Sequence, residues 1–207
     1  RHPDEGRPFI RAYAPQEVAG GGQNWALVPD SRGVVYIGSA AGVLEFDGAG
    51  WRLIETPGLN TVRSLAIDEA GRVYVGSVGD LGYLQPDAKG EMRFVSLRDR
   101  LPVDAGEFFD VWRTLVTPEG VVFQSEQRIF RWAKDSFEVF RPESRFNRAS
   151  LVDGRLHLTM PESGLTVLEG STFRVLPGTE SLARENYPVV LRFDDRRLLI
   201  GTRFGGL

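Results

Sequence analysis

The sequence predicts an all-β chain built from one repeated unit of four short antiparallel strands. Three observations predict it. Residues 24–54, NWALVPDSRGVVYIGSAAGVLEFDGAGWRLI, hold four apolar runs of four or five residues, rich in Val, Ile, Leu, Tyr and Trp. Gly and Asp bound each run, which is strand-and-turn chemistry. The pattern then recurs: with Trp25, Arg63, Arg113, Arg148 and Val189 as equivalent starts, the period is about 40 residues. Finally, the 24 glycines and 12 prolines are spread along the chain rather than clustered, as many regularly spaced turns require.

In chain order, residues 1–23 form an N-terminal segment in which Phe9 to Tyr13 is a candidate closing strand. Repeats follow at about 24–60, 61–97, 111–142 and 146–178, with a partial one at 187–207. A sheet of four short strands cannot cover both of its own faces, so it needs neighbours of its own kind. Four strands per repeat at this period is the signature of β-propeller blades. Ile200-Gly201-Thr202 through Leu207 aligns without a gap to Ile37-Gly38-Ser39 through Leu44, so Leu207 falls inside a third strand. The chain therefore reads as about four and a half blades of a longer propeller. Blades left without neighbours are expected to self-associate. The longest departure from the period is Arg98 to Asp110, a connection between blades two and three. Its Phe108 and Phe109 are expected to be buried beneath it. Blade three is the most degenerate copy, with Gln124 to Arg128 in place of a glycine-bearing loop.

Composition narrows the function classes. Hydrophobic residues make up 42% and charged residues 26%, an ordinary globular balance. The net charge is −3 with both signs interspersed, which argues against a nucleic-acid surface. No apolar run approaches the roughly 20 residues of a membrane-spanning helix. The absence of cysteine excludes disulfides and thiolate metal sites. Only two histidines occur, His2 and His157, far apart in sequence, so a histidine-based metal site or a Ser-His-Asp triad has little basis and no cofactor is expected. His157 falls at a core slot, which reads as structural. Most aspartates, Asp30, Asp47, Asp68, Asp87, Asp135, Asp153 and Asp194, fall in hairpin turns, where they shape the backbone.

One constellation stands out. If the repeat starts are equivalent, Trp25, Arg63, Arg113 and Arg148 face one another where innermost strands line the propeller axis. Three guanidiniums at one level would bind carboxylates, sulfates or phosphates bidentately. A neighbouring indole suits a sugar face or a flat ring. Glu126 and Arg203, in second-to-third-strand loops, complete the candidate set. The structural alternative is that these arginines pair with acids such as Asp110 or Glu126.

The first two repeats resemble the two-component-regulator propeller repeat. The matching residues are Gln23-Asn24-Trp25, Gly33-Val34-Val35-Tyr36-Ile37-Gly38 and Gly42-Val43-Leu44-Glu45-Phe46-Asp47-Gly48 with Trp51. Val62-Arg63-Ser64-Leu65 and Gly71-Arg72-Val73-Tyr74-Val75-Gly76 repeat the theme. The resemblance weakens in blade three, where Arg128-Ile129-Phe130-Arg131-Trp132-Ala133-Lys134 stands at the Gly-Val-Leu-Glu-Phe-Asp-Gly position. It implies a seven-bladed, periplasmic, ligand-sensing input domain of an inner-membrane receptor. The output would be a kinase or cyclase lying outside this chain, and membrane contact would come only through downstream segments. The expected ligand is a small molecule or oligosaccharide, anionic if the arginines contact it, and the chain itself is expected to be non-catalytic. A propeller-type glycan hydrolase or lyase and a protein-interaction scaffold are the alternatives.

Overall fold

A computed structural model of the chain describes residues 11–14, 17–18, 22–142, 146, 148–160, 163–184 and 189–202. The first blade comprises β1 (Asn24–Pro29), β2 (Val35–Ser39), β3 (Gly42–Phe46) and β4 (Trp51–Ile54). The second comprises β5 (Val62–Ile67), β6 (Val73–Ser77), β7 (Leu81–Pro86) and β8 (Met92–Ser96). The third is β9 (Arg113–Thr117), β10 (Gly120–Gln124), β11 (Ile129–Ala133) and β12 (Ser136–Phe140). The fourth is β13 (Ser150–Val152), β14 (Arg155–Met160), β15 (Gly164–Glu169) and β16 (Thr172–Val175). Two strands of a fifth follow, β17 (Val189–Arg192) and β18 (Leu198–Gly201). Within every sheet the strands pair antiparallel in chain order, the meander of a propeller blade.

The turns explain why the chain reverses where it does. Asp30 accepts the Arg32 and Val34 amides at 2.8 and 3.0 Å, Asp47 those of Ala49 and Gly50 at 2.9 and 2.8 Å, and Asp87 those of Lys89 and Glu91 at 2.8 and 3.0 Å. Lys134 and Asp135 both take positive φ, as do Asp153 and Gly154, which matches the twist of a two-residue hairpin. At the other end of the blades, Ser39, Ser77 and Ser125 each donate a hydroxyl across the loop between second and third strands. The acceptors are the carbonyls of Gly42, Asp80 and Arg128, at 3.0, 3.1 and 3.3 Å. Blade three lacks the glycine but keeps this serine staple.

The core lies between blades rather than within them. Tyr36, Val43 and Ile54 of blade one pack with Val62, Leu65, Val73 and Leu84 of blade two. Tyr74 and Leu81 meet Val121, Phe123, Phe130 and Trp132 across the next interface. Val122, Ile129 and Phe140 meet Leu156, Leu158 and Leu168 across the third, and Val152 and Leu165 meet Val190 across the fourth. Alternation along each strand supplies one set of side chains to each neighbour. That is why β6 is buried at all five of its residues and reads as a continuous apolar run.

One expectation needs correction, and a second falls partly outside the described residues. Phe108 is buried, 5% exposed and 4.9 Å from the Phe130 ring, but Phe109 is 70% exposed. The connection carries two short 3-10 turns, Arg98–Arg100 and Val103–Ala105, and the Phe109 backbone is used instead of its side chain. The Phe109 carbonyl accepts the Gly79 amide at 2.8 Å, so the loop is laced to the second-to-third-strand loop of blade two. The N-terminal segment, in turn, shows no strand at 11–14, and Phe9 and Ile10 lie outside the described residues. Tyr13 instead lies edge-on to Phe46 and Trp51 of blade one, with ring centroids at 5.2 and 5.3 Å.

Phe130→Ala should lower the unfolding free energy by about 3–5 kcal/mol in urea titrations, while Phe109→Ala should change it by about 0.5 kcal/mol or less. Acid should also weaken the fold. Backbone amides of Gly50 and Ala49 hold the Asp47 carboxyl below its usual value of 3.8, and chiefly that of Lys89 does the same for Asp87. Folded values below unfolded ones give stability that is present above the ordinary carboxylate range and lost as pH falls through it. The unfolding midpoint should therefore drop below about pH 4, and less steeply in Asp47→Asn/Asp87→Asn. Asp80, raised by burial, acts with the opposite sign.

Candidate functional site

The candidate residues gather where the innermost strands begin, and the ladder register decides which of them share a level. Gly38 and Gly76 immediately precede the stapling Ser39 and Ser77, as Gln124 precedes Ser125. Their partners on the inner strands are Ala26, Ser64 and Arg113. Arg113 is thus level with Ala26 and Ser64, not with Trp25 and Arg63. In the fourth blade the ladder begins at Ser150, paired with His157, and Arg148 precedes it by two residues. The fifth blade pairs Val189 with Gly201 at the level of Arg113. Trp25 and Arg63 are each the unpaired residue of a β-bulge, at Asn24/Ala26 and Val62/Ser64. A bulge inserts one residue and re-aims its side chain. The expected ring of three arginines at one level is therefore two separate groups.

The first group is Trp25, Arg63 and Trp112. The Arg63 guanidinium lies 4.0 Å from the Trp25 ring and 4.9 Å from the Trp112 ring, and the two indoles meet edge-on at 6.0 Å. Arg63 Nε also donates to Asp110 Oδ1 at 2.5 Å, with both side chains about four-fifths buried. The Asp110 backbone is held by a bridge to Val78, and the Val111 amide donates to the Ser77 carbonyl at 3.1 Å. The long connection therefore delivers the carboxylate. Among the described residues Glu126 pairs with no arginine: its Oε1 accepts the Trp112 indole N–H at 2.9 Å. Trp25 remains 36% exposed, presenting part of an indole to solvent.

The second group is Arg113 and Arg148. Arg113 Nε donates to the carbonyl of Ala149, the residue after Arg148, at 3.2 Å. Burial, and then the charge of Arg148, hold Arg113 below the usual arginine range. Among the described residues neither arginine has a carboxylate partner. The neighbouring Gln124 accepts the Ala149 amide at 2.7 Å, fastening blade three to blade four. At Gly76 a side chain has no such room, since an added Cβ would fall 2.5 Å from Ser64 Oγ and from Val111 Cγ1. Arg203 lies outside the described residues. His157 is buried, with Nδ1 3.1 Å from the Arg155 carbonyl, and burial lowers its pKa, as a packing role requires.

Trp112 is the residue that sequence reasoning missed. Its signal was present: an aromatic immediately before Arg113, one position off the assumed register. A separate cleft of about 180 Å³ opens at the opposite end of blades three and four, lined by Glu119, Arg131, Arg155 and Glu169. Its charges are balanced locally, Arg131 by Glu119 and Glu138 and Arg155 by Glu169.

No protein-family model matches the chain, and no curated protein matches it in sequence. Solved structures do share the fold. The extracellular domain assigned to the one component system BT4673 of B. thetaiotaomicron matches 86% of this chain, with 26% of that chain covered, 17% identity and a TM-score of 0.66. The extracellular domain assigned to the hybrid two component system BT3049 of the same organism gives 86%, 26%, 16% and 0.58. Virginiamycin B lyase from Staphylococcus aureus gives 86%, 62%, 19% and 0.59. The chain thus spans about a quarter of either receptor domain and about three fifths of the lyase. At these identities the likeness shows the fold: successive β-propeller blades.

Asp110→Ala should destabilise the protein by about 1–3 kcal/mol, because it strands the Arg63 guanidinium between two indoles. Asp110→Asn, which keeps an acceptor, should recover part of that loss. The shift in tryptophan emission should follow the same order.

Proposed function

We propose that the chain belongs to an extracytoplasmic, periplasmic propeller that senses a ligand for a bacterial transmembrane signalling receptor. It would bind that ligand without turning it over. The observation that carries the reading is the mouth itself: aromatic and guanidinium side chains from blades one to four converge at the starts of the inner strands. The two receptor extracellular domains of the same fold support the signalling context. Ligand contact at this mouth would shift the receptor only if affinity differs between its two states. Inter-blade contacts adjoin the site and offer a route for such a difference. Ser64 Oγ donates to the Val111 carbonyl at 2.7 Å and lies 2.8 Å from Thr114 Oγ1. The lyase of the same fold supports turnover as the second reading.

A thermal-shift screen of the whole extracytoplasmic region against neutral and acidic oligosaccharides and small organic anions separates these readings. A ligand at about 100 times its Kd should add about 2.7 kcal/mol of stability. That shift should fall by about half in Arg113→Ala, and chromatography of the incubated ligand should show it unchanged. Conversion of the ligand would favour the lyase reading, and a screen without any stabilising compound would favour an interaction scaffold.

A further inference from the structure

We propose that the mouth is divided into a charge-neutral aromatic platform, Trp25 and Trp112 clamped by Arg63, and a cationic seat, Arg113 and Arg148. Together they select a ligand that carries a carboxylate or sulfate on an aromatic or sugar ring. This inference rests on the sensing function proposed above and adds the chemical class of the ligand and the role of each residue.

The platform has no net demand for an anion. Arg63 is balanced by Asp110 at 2.5 Å and covered on its π-stacking sides by the two indoles. A guanidinium so placed is a positioning group, holding two aromatic rings at a fixed angle. What the platform offers outward is indole surface, chiefly from Trp25, and indole faces bind other flat rings and the apolar faces of sugars.

The seat is the reverse. Arg131, Arg52 and Arg192 each pair with one or two carboxylates. Arg113 and Arg148 are brought together without one among the described residues. Arg113 spends only Nε, on the Ala149 carbonyl. Its two terminal nitrogens have no protein acceptor among the described residues, and Arg148 is exposed. Two adjacent guanidiniums repel each other, and a bidentate oxyanion relieves the repulsion while satisfying the forked donors. Trp112 and Arg113 are consecutive in the chain, so platform and seat share one backbone joint.

The two arms of the test use trigalacturonate and benzoate, a sugar acid and an aromatic acid. Each is paired with its uncharged counterpart, trigalacturonate methyl ester and benzamide, in calorimetric titrations of the whole extracytoplasmic region. At least one acid should bind saturably and at least tenfold more tightly than its counterpart. Arg113→Gln and Arg148→Gln should each weaken it roughly tenfold, and added salt should weaken it too. Trp25→Ala should weaken the ring acid while leaving binding of inorganic sulfate unchanged. Unliganded melting curves matching wild type exclude misfolding as the cause, and Arg148, being exposed, gives a variant that leaves the core intact. Equal affinity for acid and counterpart, or acid affinity unchanged in both arginine variants, would overturn the division. So would failure of both acids to bind. If the broader screen still yields a neutral ligand, sensing survives and only the division falls; if that screen is also empty, both fall.

Discussion

Each sheet of this protein presents two apolar faces that only a neighbouring sheet can cover. Tyr36 and Val43 on one side of an interface and Val62 and Val73 on the other are fully or almost fully removed from solvent. Neither pair would be buried by its own blade. Everything else in the structure adapts to this constraint. The inner strands must approach closely, which fixes Gly76 where the neighbouring inner strand would strike a side chain. Where the approach is looser, Gln124 replaces glycine and bonds the next blade's backbone. The buried hydroxyls of Ser64 and Thr114 face each other across one such approach, so polarity there is matched rather than eliminated.

The candidate site is a by-product of the same geometry. Stacking sheets around a common line brings the starts of their inner strands together at one end. Core residues such as Val62 alternate there with residues such as Arg63 that the core does not use. The latter are free to carry charge and aromatic surface. The long connection between blades two and three is the segment that departs furthest from the repeat. It supplies the carboxylate that fixes Arg63 and, through its last residues, positions Trp112.

Much of this was legible in the sequence, because strands buried on two faces read as short continuous apolar runs and their turns as Asp and Gly. The pairing of Arg63 with Asp110 was open as the structural alternative for that arginine. The register of the mouth was not legible. A bulge at Trp25 and another at Arg63 each add one residue without changing the apolar pattern, so an ungapped comparison slides Arg113 to the wrong level and hides Trp112. The fate of Phe109 was hidden for a related reason: its backbone carries the contact with Gly79, and backbone hydrogen bonds leave no trace in side-chain chemistry.

The placing of the core at interfaces also shapes how the protein comes apart. When each sheet is stabilised by its immediate neighbours alone, the folded state behaves as a row of coupled units rather than a single block. The interface between Tyr74 and Phe123 is flanked on both sides by further sheets, whereas β17 shows Val189 and Leu191 to solvent at 48% and 52% exposure. A molecule seated across blades one to four would tie four units of that row into one, and its grip would be felt as a gain in cooperativity as much as in stability.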